Sequence, residues 1–231
     1  MREDEKMSTK EEEVILRKVA PAKVVLGIDF DNTIVSYDAL IHALAVQRSL
    51  ISPHFPRQKE KIKDQIRQMK REEEWQEIQA IIYGDKIHEA VLMDGVSSFL
   101  EKCSQQSIPV QIISHKTEYS NLLKSGVNFR AAALHWMEQQ QLFTRFSLST
   151  NQVHFTPTRG EKIQKIQQLG CTHFIDDLEE IFHEEGFPKR VIKILYAPGE
   201  SRSGASHNLT AADGSIIRLK DWGEIYDYFF G

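Results

Sequence analysis

Apolar positions along this chain follow two rhythms. Residues 24–28 (Val-Val-Leu-Gly-Ile) run without polar alternation, as a strand buried on both faces of a parallel sheet does. The run ends at Asp29 and Asp31. Further short runs of this kind lie at 109–113, 153–155, 173–175, 191–197 and 216–219, and each is read as a strand. Between them the spacing is helical. Val96, Phe99, Leu100 and Cys103 mark one helix, with Asp94 placed to cap it. Phe129, Ala133, Trp136 and Met137 mark another over 129–141. Thr158 and Glu161 form a capping-box pattern before Ile163, Ile166 and Leu169, and Gly170 ends that helix. A last helix covers 222–230.

Residues 36–93 read as helical throughout. One stripe holds Leu40, Ile41, Leu44, Leu50 and Ile51, and Pro53 and Pro56 then break the chain. Ile62, Ile66 and Met69 mark a second stripe, and Trp75, Ile78, Ile81 and Ile82 a third. Lys, Arg and Glu crowd 57–77 and read as the solvated faces of these helices. That is more helix than a crossover between two strands needs, so 36–93 is expected to be an inserted helical cap. Strands alternating with helices elsewhere predict an α/β fold, a doubly wound, mainly parallel Rossmann-like sheet built from 21–35 and 94–231. Residues 1–20 form a charged arm with a capping-box pattern at Ser8 and Glu11, closed by Pro21. Residues 198–214, rich in Gly, Ser and Asn, read as a loop.

Composition narrows the function classes. The chain has 231 residues, 41% hydrophobic and 27% charged, which is ordinary for a soluble globular protein. A net charge of −4 gives no footing for nucleic acid, and no apolar stretch is long enough for a membrane span. The charged N-terminus is unlike a secretory signal, and Cys103 and Cys171 have no paired spacing. A cytoplasmic protein is expected, so the glycosylation-like triplet Asn208-Leu-Thr210 is read as chance.

The chemistry lies at strand and helix ends. Asp29 and Asp31 follow the first strand, Ser114 the second, Asp176 and Asp177 a later one, and Lys162 falls in the first turn of a helix. In a parallel sheet strand C-termini and helix N-termini share one edge, where ligands bind, so these groups face one crevice. An Asp carboxylate there can attack phosphorus and carry an aspartyl-phosphate. Carboxylates from both ends of the set can hold Mg²⁺, which takes oxygen ligands and substrate phosphate. Ser114 and Lys162 can hold phosphoryl oxygens, and Asp31 is left to protonate the leaving oxygen and then activate water. Lys165, a turn beyond Lys162, competes for the phosphate role less favourably. His115 and Lys116 follow Ser114 and could reach a substrate group, although a histidine there is more often structural. His42, His54 and Trp75 are read as packing or surface, and Glu180 as a group that could orient the acidic pair.

These motifs resemble the haloacid dehalogenase-like hydrolase superfamily. Asp29-Phe-Asp31-Asn-Thr33 matches its first motif, Ile112-Ile113-Ser114 its second, Lys162 its third, and Phe174-Ile175-Asp176-Asp177 its fourth, all in order. The resemblance implies Asp29 as nucleophile and metal ligand. It implies Asp31 as general acid/base that also gives a backbone carbonyl to Mg²⁺. Thr33 would support the loop around the phosphate, Ser114 and Lys162 would bind the phosphoryl group, and Asp176 and Asp177 would complete the Mg²⁺ site, either being the direct ligand. The second Asp favours phosphate chemistry over dehalogenation. The insertion resembles the family's first type of cap, which closes over small substrates. The expected activity is therefore a Mg²⁺-dependent phosphomonoesterase acting on a small phosphorylated metabolite. A phosphoryl mutase using the same intermediate and a non-catalytic phosphate-binding module are the alternatives; the module would predict a missing carboxylate, and none is missing.

Overall fold

The computed structural model describes residues 24–120, 126–198 and 214–231. The charged arm, Pro21, the Asn208 triplet and nearly all of the predicted 198–214 loop lie outside them. In chain order the elements are β1 (Leu26–Ile28), β2 (Val35–Ser36), α1 (Asp38–Gln47), α2 (Lys59–Gln68), α3 (Glu72–Tyr83) and β3 (Val91–Leu92). Then come α4 (Val96–Gln105), β4 (Val110–His115), α5 (Phe129–Gln139), α6 (Leu142–Arg145), β5 (Val153–Thr156) and α7 (Arg159–Gln168). The chain closes with β6 (His173–Asp176), α8 (Glu180–His183), β7 (Ile192–Tyr196), β8 (Ile216–Leu219) and α9 (Trp222–Phe230).

Six strands form one sheet in the order β5-β4-β1-β6-β7-β8, and every pairing in it is parallel. Neighbouring residues of one strand point to opposite faces. Ile112, Ile175 and Ile194 enter one hydrophobic cluster, whereas Ile113, Phe174 and Leu195 enter a second. Both faces are therefore buried, which is why these strands read as unbroken apolar runs. Helices α4, α5 and α9 cover the first face, with Phe99 against Trp222; α7 and α8 cover the second through Ile163, Ile166, Ile181 and Phe182. Gly27, in the central strand, is needed for close approach. A Cβ there would lie 2.6 Å from the Phe174 ring.

Helices α1, α2 and α3 pack on one another between β2 and β3, burying Ile41, Ala45, Ile62, Ile66, Trp75, Ile78 and Ile82. Pro53 and Pro56 fall in the non-helical stretch between α1 and α2, as read from sequence. The segment is not helical to its ends, however. Val35–Ser36 pairs antiparallel with Val91–Leu92, so a two-stranded ribbon closes the base of the insertion. Two buried tryptophans pin that base: Trp136 donates from Nε1 to Ala90 O and Trp222 to Thr33 O, each at 3.0 Å.

Three local expectations are corrected. Asp94 does not cap α4; Gly95 occupies that position at φ 88° and offers no side-chain cap, because the chain there approaches Trp222 too closely for a Cβ. The second strand runs through Ser114 to His115, since both pair with β5. Met69 lies just past α2 and is 37% exposed, so the second stripe ends at Ile66. By contrast, Thr158 caps α7 through the Glu161 N–H, and Gly170 follows that helix at φ 64°.

The Trp222 bond gives a direct test of how the insertion is anchored. Trp222→Phe leaves the buried Thr33 carbonyl without its donor and is expected to cost at least about 1–3 kcal/mol. Urea unfolding measures it; an unchanged midpoint would mean that water or a neighbour replaces the bond.

Candidate active site

Asp29 continues β1 by one residue, its N–H donating to Ile175 O at 2.9 Å, which sets it beside the end of β6. The chain then turns sharply. The Phe30 carbonyl accepts from Thr33, Ile34 and Val35, and Asn32 takes φ 61°, a conformation Asn tolerates better than most side chains. Asp31 is carried into this turn and Thr33 is fully buried in it; Asn32 Oδ1 and Thr33 Oγ1 have no hydrogen-bond partner among the described residues. Ser114 is buried near the C-terminal end of β4, the strand that pairs with β1 through Ile28 and Ile112.

Lys162, in the first turn of α7, crosses to this edge. Its Nζ donates to Asp29 Oδ1 at 2.5 Å and to Asp176 Oδ2 at 2.7 Å, with the side chain only 4% exposed. Burial works against its charge, but Asp176 and Asp29 more than offset that, and its pKa is raised. Asp176, the last residue of β6, also accepts the Leu178 N–H at 3.0 Å. Burial, with Asp29 and Asp177 adding repulsion, raises the Asp176 carboxyl against the opposing pull of Lys162. Asp177 is likewise raised by burial, against the pull of Lys59.

Asp29, Asp176 and Asp177 each offer an oxygen, and these atoms all lie within 4.8 Å of one another. Asp31 stands apart. Lys116 donates to its Oδ1 at 3.0 Å and lies 2.9 Å from Oδ2, and the Tyr37 hydroxyl donates to Oδ1 at 2.7 Å. Four carboxyl groups thus meet three ammonium groups, those of Lys162, Lys116 and Lys59. A hard divalent cation suits this donor set: all oxygen, anionic and buried. Asp29, Asp176 and Asp177 are the side chains that would hold it, whereas the Asp31 carboxylate faces Lys116.

Two residues of this constellation had weak or no sequence signal. Lys59, read as part of a solvated charge run, is largely buried at the start of α2 and donates to Asp177 Oδ2 at 3.2 Å. Only the packing of the insertion onto the sheet edge creates that contact. Lys116, which follows Ser114 and could reach a substrate group, grips Asp31. The other candidates fall outside the cluster. Lys165 is half-buried beside His154, and exposed His115 bonds the Pro157 carbonyl through its ring. His42 bonds Phe55 O, His54 is exposed and Trp75 is buried in the insertion. Glu180 is exposed, and it is Glu179 that pairs, with Arg218.

No protein-family model and no curated protein matches the sequence. Solved structures do match. A haloacid dehalogenase-like family hydrolase from Streptococcus pneumoniae superposes with a TM-score of 0.54 at 16% identity, covering 89% of this chain and 98% of that one. A haloacid dehalogenase family hydrolase from Deinococcus radiodurans, solved with bound phosphate and sodium, gives 0.50 at 12% identity, covering 88% and 94%. The chain has the fold of the haloacid dehalogenase-like hydrolases. No helix among the described residues is long and apolar enough to cross a membrane.

Lys162→Met would leave Asp29 and Asp176 buried without their shared cation. Without metal this should cost about 3–5 kcal/mol. Mg²⁺ at about 100 times its Kd should add ~2.7 kcal/mol to the wild type, removable with EDTA, and more to the variant. Urea unfolding with Mg²⁺ and with EDTA reads both; no Mg²⁺ effect on either protein would remove the cation from the site.

Proposed function

We propose that this chain is a Mg²⁺-dependent phosphomonoester hydrolase that works through a phosphate carried on Asp29. The observation that carries the reading is the pairing of Asp29 with Lys162 at 2.5 Å, inside a three-carboxylate cluster, while Asp31 is held separately by Lys116 and Tyr37. This supports a reading in which Asp29 lies beside a cation able to bind phosphate and Asp31, held apart, is left for proton transfer.

In this reading Asp29 attacks phosphorus, and Lys162 and Ser114 hold the phosphoryl oxygens, Lys162 by charge and Ser114 by its hydroxyl. Thr33 supports the turn that carries Asp31. Asp31 protonates the leaving oxygen and later takes a proton from water. Mg²⁺, held by Asp29, Asp176, Asp177 and the Asp31 carbonyl, would supply charge neutralisation for the transferring phosphate. Lys59 is one of the insertion's contributions to the site, beside Tyr37 and Tyr83. It supports the reading of 36–93 as a cap closing over a small phosphorylated substrate, since the site beneath is nearly sealed: Asp29 is only 4% exposed.

Phosphate release from p-nitrophenyl phosphate tests this. Release is expected with Mg²⁺, to be lost with EDTA, and to be abolished in Asp29→Asn, which keeps the shape and removes the nucleophilic charge. Equal release by wild type and Asp29→Asn would sink the assignment of Asp29. Return of the phosphate to a second hydroxyl of a sugar phosphate, with no free phosphate released, would make the protein a mutase.

A further inference from the structure

Lys116 is among the most buried charged groups of this protein, its side chain 2% exposed. Its backbone is fixed on both sides: the N–H donates to Thr156 O at 3.0 Å, extending the β4–β5 ladder, and the carbonyl accepts from Arg130 Nε at 3.0 Å. The ammonium lies 4.4 Å from the Tyr83 ring centre and 5.7 Å from that of Phe30. A charge so enclosed needs a partner, and the partner is Asp31. Lys116 reaches both carboxylate oxygens of Asp31, and Tyr37 adds a third bond. Tyr37 stays a donor, because burial, with Asp31 and Tyr83 adding to it, raises its pKa well above the ordinary phenol value. The Asp31 side chain keeps 15% exposure, so the carboxyl is gripped yet not sealed.

We propose that Lys116, assisted by Tyr37, is the positioning residue of Asp31: it fixes in one orientation the carboxyl that exchanges the proton. The inference rests on the phosphatase reading of the site. In the first half-reaction an Asp29 oxygen bonds to phosphorus, the bond from phosphorus to the ester oxygen breaks, and the Asp31 proton passes to that oxygen. In the second, the water oxygen bonds to phosphorus, the bond to Asp29 breaks, and Asp31 takes up the proton of that water. Lys116 neither gives nor takes a proton. It holds the Asp31 carboxyl in the orientation from which the proton is exchanged, so that the step needs no search for that geometry.

A leaving-group comparison separates this role from a merely structural one. p-Nitrophenolate departs without a proton, whereas phenolate, a much poorer leaving group, needs one. The probes are phenyl phosphate and p-nitrophenyl phosphate, both with saturating Mg²⁺. The readout is the ratio of their kcat/KM values, because hydrolysis of phospho-Asp29 is common to both esters. General acid catalysis contributes roughly 10²- to 10⁴-fold, so Asp31→Asn is expected to lower the phenyl to p-nitrophenyl ratio by about that factor. Lys116→Met should lower it by at least about tenfold, a part of the same effect. Lys116→Arg should restore part of the ratio, and Tyr37→Phe should move it in the same direction by less.

If Asp31→Asn moves the ratio and Lys116→Met does not, the positioning role is wrong and the reading of Asp31 stands. If neither moves it, the acid role of Asp31 fails and the proposal with it. A wild type inert toward both esters overturns the phosphatase reading and the proposal together. Should Lys116→Met fail to fold, Tyr37→Phe, which removes one hydroxyl, carries the test: an unchanged ratio there overturns the proposal.

Discussion

Four carboxylates gathered at one sheet edge are the constraint from which the rest of this structure follows. An ionised group taken from water costs several kcal/mol unless it is paired and hydrogen-bonded. Each acid here therefore has an ammonium partner: Lys162 bridges Asp29 and Asp176, Lys116 takes Asp31, and Lys59 takes Asp177. Those cations come from α7, from the residue after β4 and from α2, so assembling the site requires three distant segments to be in place. Such pairs add little to net stability. Their consequence is positional, since any one of them, once broken, leaves a buried charge behind.

The same constraint explains how the inserted helices relate to the sheet. Their base is a two-stranded ribbon, and its flanks are held by Trp136 and Trp222 through bonds to the Ala90 and Thr33 carbonyls. From that base α2 brings Lys59 to Asp177, and α3 brings Tyr83 over Lys116. Tyr83 also meets Tyr37 edge-on, with ring centres 5.2 Å apart. The insertion thus touches both the acidic cluster and the pair that holds Asp31.

Much of the fold was legible because burial leaves a local mark. A strand covered on both faces has no polar alternation, and the runs around Ile28, Ile112, Ile175 and Ile194 are all paired in one parallel sheet. The Thr158 cap and the Gly170 stop were legible because they satisfy helix-end groups within a few residues of themselves. Where a reading failed, a distant neighbour had decided the matter. Trp222 crowds Gly95 and leaves Asp94 out of the cap, and pairing with β5 draws Ser114 into the strand. The contact between Val35–Ser36 and Val91–Leu92 joins segments separated by the whole insertion.

By itself the sequence determined that Asp29, Asp31, Ser114, Lys162, Asp176 and Asp177 would stand at one edge of a parallel sheet, because that follows from strand ends and helix starts alone. It could not determine which ammonium group meets which carboxylate. Lys59 lies 118 residues from Asp177 and Lys116 lies 85 from Asp31, and in a one-dimensional pattern both look like ordinary lysines. Only packing makes them partners. The helices must close on the sheet before a buried acid selects the nearest available cation, and that selection is made by distance and exclusion of water in the folded chain.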